Sequence, residues 1–411
     1  MVAGDAFRSR AASVGSPSVG PVRLLHTSDW HLGRSFHGVG LLGAQAEHLD
    51  HLVEVVRGER VDAVLVSGDV YDRAMPAPDT VALLSQTLER IVDTGAAVVL
   101  STGNHDSATR LGFAAGLLER SGVHIRASVA DIGRPVLLGD VAVHPLPYLE
   151  PALTADTLGA AERTHEAVLR AAMGRVRADA ARRPGRTVVM AHAFVSGALS
   201  SDSERDIAVG GVAAVPADVF ADVDYAALGH LHGRQRVTES VRYSGSPLAM
   251  SFGEWRQRKG GLLVDLAGEH PVVEEVDAPV HRPLAVLRGR LEDLLADPRH
   301  GGAEGSWCQV TLTDATRPLG AMERLRRRFP HTLELRFEPE GAVAPLRPYA
   351  ERVRAASTLE VCCDFLGHVR GGRAADDEER ALLTEALTAA RVARGLADDE
   401  GGARTAGAGA A

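Results

Sequence analysis

Two aspartates, an asparagine and four histidines are strung in fixed order between Asp29 and His232, each inside a short motif. The motifs read Asp29-Trp30-His31, Gly68-Asp69, Gly103-Asn104-His105-Asp106, Ala191-His192 and Gly229-His230-Leu231-His232. Oxygen and imidazole donors with no thiolate suit manganese, iron or zinc. Seven such donors are what two adjacent divalent ions need, with positions left open for water and substrate. Any one motif is weak. An Asp after Gly or Ser is usually a turn former, and a His after a strand more often satisfies a loop or a core. That bland reading is given to His37, His48, His51, His124, His144 and His165. Five motifs, each behind its own strand-like run, make coincidence a poor account of the set.

The elements that must position these residues are legible as apolar runs. Residues 22–27, 61–67, 96–101, 187–191 and 225–228 have the pattern of buried strands, and a motif follows each. In extended chain, residues i and i+2 point the same way, so Asp29 and His31 can face one metal. His230 and His232 repeat that spacing, on one metal or shared between two. Gly68 allows the tight turn that presents Asp69. Strands that end in polar residues at one edge are how open α/β sheets build their sites. Amphipathic helical patterns fall at residues 45–56 and 80–92.

On these motifs the chain resembles the calcineurin-like metallophosphoesterases, whose pattern is D-x-H, GD, GNHD, H and GHxH, over about residues 22–265. His26-Thr27-Ser28-Asp29-Trp30-His31-Leu32-Gly33-Arg34, Ser67-Gly68-Asp69-Val70-Tyr71-Asp72 and Tyr243-Ser244-Gly245-Ser246-Pro247 are similar to the SbcD branch. Members of that branch are nuclease subunits working with the SMC-like ATPase SbcC. Protein phosphatases of the superfamily carry Asp-Arg-Gly where Asp72-Arg73-Ala74 stand here, and archaeal and eukaryotic nuclease relatives have His in place of Asp72.

The resemblance implies an α/β fold: a two-sheet α/β/β/α sandwich with a small α/β capping domain and a C-terminal helix pair. It implies Asp29, His31 and His232 on one metal, Asn104, His192 and His230 on the other, and Asp69 bridging them. His105 is then a catalytic histidine outside the ligand set, with Asp106 orienting its ring. Two divalent ions, by resemblance manganese, would activate a water for in-line attack on a phosphodiester. The implied activity is 3′–5′ exonuclease and single-strand endonuclease action on DNA ends and hairpins, in repair, replication and recombination. The implied partners are DNA and an SbcC-type ATPase, with this chain a homodimer within a heterotetramer. A rival on the same metal core is hydrolysis of small phosphate esters or cyclic nucleotides. The Asp29–Arg34 context and the C-terminal half favour the nuclease.

Composition sets the frame. The chain has 411 residues, 45% of them hydrophobic, enough for a large core and two domains. The expected organisation is a disordered leader (1–21), a phosphoesterase domain (22–268), a capping domain (269–341), partner-binding helices (342–396) and a disordered tail (397–411). The cap repeats strand, helix, strand, helix, strand at 284–287, 291–296, 308–313, 319–329 and 332–337. Near the end, Ser357 and Glu360 form a capping-box signature before Leu359, Cys362, Cys363, Leu366 and Val369 at helical spacing. A second stripe, Leu383, Ala386, Leu387 and Ala390, follows the acidic run 376–379. Three cysteines, two of them adjacent at Cys362-Cys363, argue against a disulfide scaffold and suit a reducing cytoplasm. No run reaches the ~18 apolar residues of a membrane span. A net charge of −9 does not resemble a nucleic-acid binder on average, so DNA contact must be local. Arg256, Arg258 and Lys259, and separately Arg324 and Arg326 to Arg328, are the basic candidates, held even with solvated faces. Residues 196–211 form a polar loop placed where a substrate-shaping element could sit.

Overall fold

A strand buried on both faces needs apolar side chains at successive positions, whereas an amphipathic helix needs them on one stripe. The computed structural model sorts the chain by that rule. It describes residues 22–201, 203, 204, 214–340, 358–370 and 373–389. The expectations for the leader, for half of the 196–211 loop, for residues 342–357 including Ser357, for Ala390 and for the tail lie outside the described residues. The chain divides into two compact units at His281/Arg282.

In the first unit, besides a two-stranded hairpin of Ser35–Phe36 and Val39–Gly40, the strands are β1 (Arg23–Thr27), β2 (Ala63–Ser67), β3 (Ala97–Ser101), β4 (Val123–Arg126), β5 (Val136–Leu138), β6 (Val141–Pro145), β7 (Arg186–His192), β8 (Tyr225–Gly229), β9 (Gln235–Arg236), β10 (Val241–Tyr243), β11 (Gly260–Asp265) and β12 (Val272–Asp277). They form two six-stranded sheets, ordered β12-β11-β1-β2-β3-β4 and β9-β10-β8-β7-β6-β5. The centre of each is parallel: β1, β2, β3 and β4 in the first, and β6, β7, β8 and β10 in the second.

Alternation along each strand builds the layers. Leu24, Leu65, Val99, Val188, Met190 and Tyr225 point between the sheets and form the central core. Their neighbours Leu25, Val64, Val66, Val98 and Leu100 face outward onto helices Leu42–Gly58 and Pro78–Val92. Val189, Ala191, Ala226 and Leu228 do the same on the other side, against Pro151–Leu158 and His165–Ala180. The result is the expected α/β/β/α sandwich.

β12 marks a difference from the sequence reading, which ends the first domain at 268. It pairs antiparallel with β11, Gly260 opposite Asp277 and Asp265 opposite Val272. Its mostly exposed pattern and its Glu274, Glu275 and Asp277 are those of an edge strand, which reads as loop without its partner.

In the second unit β13 (Leu284–Gly289), β14 (Trp307–Leu312) and β15 (Thr332–Phe337) form a parallel three-stranded sheet. Helices Leu291–Ala296 and Ala321–Arg328 connect them over a core of Leu291, Leu294, Val310, Leu325 and Phe329. Beyond it lie helix Thr358–Val369 and a helix at 377–389. The second is opened by a reciprocal cap: Glu379 N–H donates to Asp376 Oδ1 (2.9 Å), and Asp376 N–H donates to Glu379 Oε2 (3.1 Å). Among the described residues no helix is long and apolar enough to cross a membrane.

Candidate metal centre

The motifs meet because the loops beyond the parallel strands keep pairing after the strands end. Asp29 N–H donates to Gly68 O (3.1 Å), His31 N–H to Asp69 O (2.9 Å) and Leu32 N–H to Val70 O (3.0 Å). That tertiary pairing sets the ligand geometry, and it differs from the expected extended chain. Asp29 (φ 52°), His31 (φ 43°), Asp69 (φ 51°) and His230 (φ 102°) all have positive φ. A non-glycine residue there costs about 1–2 kcal/mol, a strain that clusters at functional sites. Asp29 and His31 therefore reach the same site through left-handed backbone, while Trp30 between them is buried in the core.

The expected ligand residues come together. Asp29, His31 and His232 offer atoms within 4.8 Å of one another, as do Asp29, Asp69 and His192. Asp69 Oδ2 lies 3.5 Å from His31 Nε2 and 3.5 Å from His192 Nε2. His31 Nε2 faces His232 Nε2 at 3.2 Å. Asn104 Oδ1 is 3.0 Å from His192 Nε2. A third such group, His31, Asp72 and His105, adjoins these two, and His230 belongs to none of the three; its ring is 5.3 Å from that of His192 and its N–H donates to the Asp29 carboxylate.

Burial and charge set the protonation. Burial pulls His31 down to about 4 and His230 to about 3, leaving neutral donors. Burial also pushes Asp29 up to about 6. Burial opposes ionisation of Asp69 and His192 alike, yet each stabilises the other's charge. The rings of His192, His31 and His105 hold the Asp69 carboxyl far below its ordinary range, and Asp69 and Asp29 raise His192 to about 9.

These residues fit a pair of divalent cations. Two imidazole nitrogens face each other with at most one proton between them, Asn104 turns its oxygen to the cluster, and the Asp72 carboxylate stands 3.5 Å behind His31 Nδ1, where it can hold that proton and leave Nε2 to a cation. His192 Nδ1 donates to Ser67 O at 3.0 Å, so Nε2 is the nitrogen turned to the cluster, available to a cation once that cation displaces the second proton of the ring. Gly68 and Gly103 cradle the set: a Cβ on either would overlap His192 or Asp69.

His105 sits at the rim of this cluster, its N–H on Asp69 Oδ1 (2.9 Å) and its Nε2 3.9 Å from Asp69 Oδ2. The expectation that Asp106 orients its ring is corrected. His105 Nδ1 is held by the backbone carbonyl of Asp72 at 2.8 Å. The Asp106 carboxylate accepts instead from the N–H groups of Gly103 (2.9 Å), Tyr71 (2.9 Å) and Val70 (3.1 Å), tying two motif loops together. Burial, then the Asp69 charge, pushes that carboxyl up to about 7. The Asp72 side chain stands 3.5 Å from His31 Nδ1 and pairs with Arg34 at 3.2 Å.

Motif reading misses Ser203, Glu204 and Glu254, which surround His232; Glu204 Oε1 accepts from its N–H at 2.9 Å. Ser203 and Glu204 lie in the polar stretch 196–211 already singled out, but nothing local ties that stretch or Glu254 to His232. The basic candidates are already engaged. Lys259 is buried on Glu254, Arg258 pairs with Asp277, and Arg256 stacks on Trp255. In the second unit Arg324 pairs with Glu292, Arg327 with Glu323 and Arg328 with Glu304, and Arg326 bonds Thr332 O.

A family model described as calcineurin-like phosphoesterase matches residues 22–234. The chain belongs to the calcineurin-like phosphoesterases. Members of this family use divalent metals, in keeping with the donor set. In this calcineurin-like phosphoesterase a second model, for the SbcD C-terminus and described as Type 5 capsule protein repressor C-terminal domain, matches residues 280–369. The SbcD component of the SbcCD nuclease from Staphylococcus saprophyticus is 29% identical over 319 residues, 76% of this chain and 84% of its own length. Similarity to SbcD thus runs through both units. Looser likenesses exist to solved structures. A dimetal phosphatase from Danio rerio is 12% identical with a TM-score of 0.37, covering 64% of this chain and 98% of its own. TT1561 of Thermus thermophilus is also 12% identical with a TM-score of 0.37, covering 62% and 99%. Likenesses of that size carry no argument about function.

Proposed function

We propose that this chain is the nuclease subunit of an SbcCD-type complex, hydrolysing DNA phosphodiesters at ends and hairpins together with an SMC-like ATPase. The observation that carries the reading is the buried O/N donor cluster around Asp69, on a chain similar to SbcD along both units. In this reading Asp29, His31 and His232 would hold one cation, Asn104, His192 and His230 would hold the other, and the Asp69 carboxylate would be shared between them, offsetting part of their crowded charge. When bound, the cations, in this proposal manganese, supply Lewis-acid charge at the phosphoryl oxygens and lower the pKa of an attacking water.

The chain's own residues do the rest. His105 stands outside the ligand set with Nδ1 fixed on the Asp72 carbonyl, so Nε2 is the nitrogen that would hold a proton for the leaving oxygen. Asp106 keeps the Asp69 and Asn104 loops in register. The proposed setting is DNA repair, replication and recombination in the cytoplasm, as a homodimer within a heterotetramer.

The test uses the full chain with manganese on single-stranded, blunt-ended and hairpin DNA, with and without the ATPase. Manganese-dependent cutting, extended to duplex ends by the ATPase and ATP, is expected. Turnover of a small phosphate ester with DNA left intact would transfer the site to the rival reading.

A further inference from the structure

His232 is gripped on its ring and its backbone by groups outside every motif. Its Nδ1 lies 2.6 Å from Ser203 Oγ and 3.5 Å from Glu254 Oε1. The Ser203 hydroxyl donates in turn to that same Glu254 oxygen. Glu254 is 0% exposed, and its other oxygen accepts from Lys259 Nζ and from Met250 N–H (3.2 Å). Lys259 closes the circuit by donating to His232 O at 2.8 Å and to Ser246 Oγ at 3.1 Å. The single lysine of the chain is committed to this circuit.

Stability alone is a poor reason for such an arrangement. Desolvating two charges costs several kcal/mol per ion, and apolar pairs of similar volume often replace them without loss. What an apolar pair lacks is an acceptor behind the imidazole. Nδ1–H held by Ser203 and Glu254 leaves the lone pair on Nε2, the atom 3.2 Å from His31 Nε2 inside the donor cluster. The same carboxylate also holds Ser201 Oγ at 3.3 Å, and Glu204 takes the His232 N–H. Ser201, Ser203 and Glu204 are thus gathered around one histidine and the carboxylate behind it.

We propose that Glu254, balanced by Lys259 and relayed through Ser203, is a positioning residue. It fixes His232 as the Nδ1–H tautomer with Nε2 turned to the metal centre, and it couples cation affinity to docking of the Ser203 stretch. The proposal rests on the two-metal reading above.

The experiment compares three full-length proteins carrying ¹⁵N-histidine: wild type, Glu254→Met with Lys259→Met, and Ser203→Ala. Each is first studied metal-free by long-range ¹H–¹⁵N correlation, with His232 assigned by its loss in His232→Gln. Each is then titrated calorimetrically with manganese. Wild type is expected to show the Nδ1–H tautomer alone. Both variants should show mixed tautomers and roughly 10–100-fold weaker binding of one cation, the usual effect of removing a partner behind a metal-ligating histidine. Ser203→Ala leaves the ion pair in place and carries the comparison if the double variant does not fold. Folded variants that keep a single Nδ1–H tautomer and wild-type affinity overturn the proposal. Wild type that binds no cation overturns the two-metal reading instead, while the tautomer comparison still decides the role of Glu254.

Discussion

Gly68→Ala tests how tightly the cluster depends on backbone approach. Gly68 has φ +83°, and an added Cβ would lie 2.8 Å from His192 Cγ and 2.9 Å from Gly103 Cα, closer than real Cβ atoms come. The left-handed backbone costs alanine about 1–2 kcal/mol. Overlap with a packed ring adds about 1–3 kcal/mol. Displacing His192 breaks its 3.0 Å bond to Ser67 O, about 1 kcal/mol more. The total is roughly 3–6 kcal/mol, a fall in melting temperature on the order of 10 °C. Gly95→Ala is the control: φ is +94° there too, but nothing lies within 4 Å of the new Cβ, so only the backbone cost of about 1–2 kcal/mol applies. The assay is thermal unfolding in a chelator, followed by metal content after manganese loading. Gly68→Ala should melt well below Gly95→Ala and lose at least the cation on the His192 side. If the two variants melt together, or Gly68→Ala keeps its full metal, the close-packed account of the site is wrong.

Three further outcomes follow from the geometry. His105→Leu should cut DNA cleavage by at least the 10²–10⁴-fold typical of a lost proton donor, with metal content unchanged; Asp69→Ala should lose metal and activity together. Cleavage and metal analysis separate the two, and near-normal cutting by His105→Leu would reject its role. Ending the chain near residue 341 should leave a folded, manganese-dependent nuclease that no longer co-purifies with the ATPase, and equal recovery of both forms would place docking elsewhere. Finally, burial lowers His48 to about 3, and both its ring nitrogens lack hydrogen-bond partners. Between about pH 6.5 and 3 the unfolded state binds the extra proton, so this histidine destabilises the fold as pH falls through that window. His48→Leu should therefore gain stability relative to wild type on going from pH 8 to pH 5 in denaturant titrations, and a constant difference would show that His48 does not titrate this way.

Much of this molecule is legible from its residues, for identifiable reasons. Strands such as Ala63–Ser67 and Ala97–Ser101 are buried on both faces and must be apolar throughout, so they stand out with their motifs attached. The cap elements are legible because each strand and helix packs on its immediate neighbours in sequence. What escapes the sequence is set by distant partners. The left-handed turns at Asp29 and His31 are imposed by hydrogen bonds to the Gly68–Val70 loop, and nothing in Asp-Trp-His announces them. Asp106 beside His105 suggests a ring contact, yet the amides it holds include those of Val70 and Tyr71, 36 and 35 residues away. Lys259 reads equally as a phosphate contact or a solvated residue, and it is neither, being buried on Glu254. Ser203 is 29 residues from the histidine it touches and 51 from the carboxylate it serves, with no motif around it.

The central claim is that the seven residues gathered around Asp69 hold two divalent cations. Anomalous scattering from manganese-loaded crystals, collected on either side of the manganese edge, tests it without reference to substrate. Two peaks about 3.5–4 Å apart are expected, one among Asp29, His31 and His232 and one among Asn104, His192 and His230, with an Asp69 oxygen on each. A single peak, or peaks that leave Asp69 uncoordinated, would contradict it.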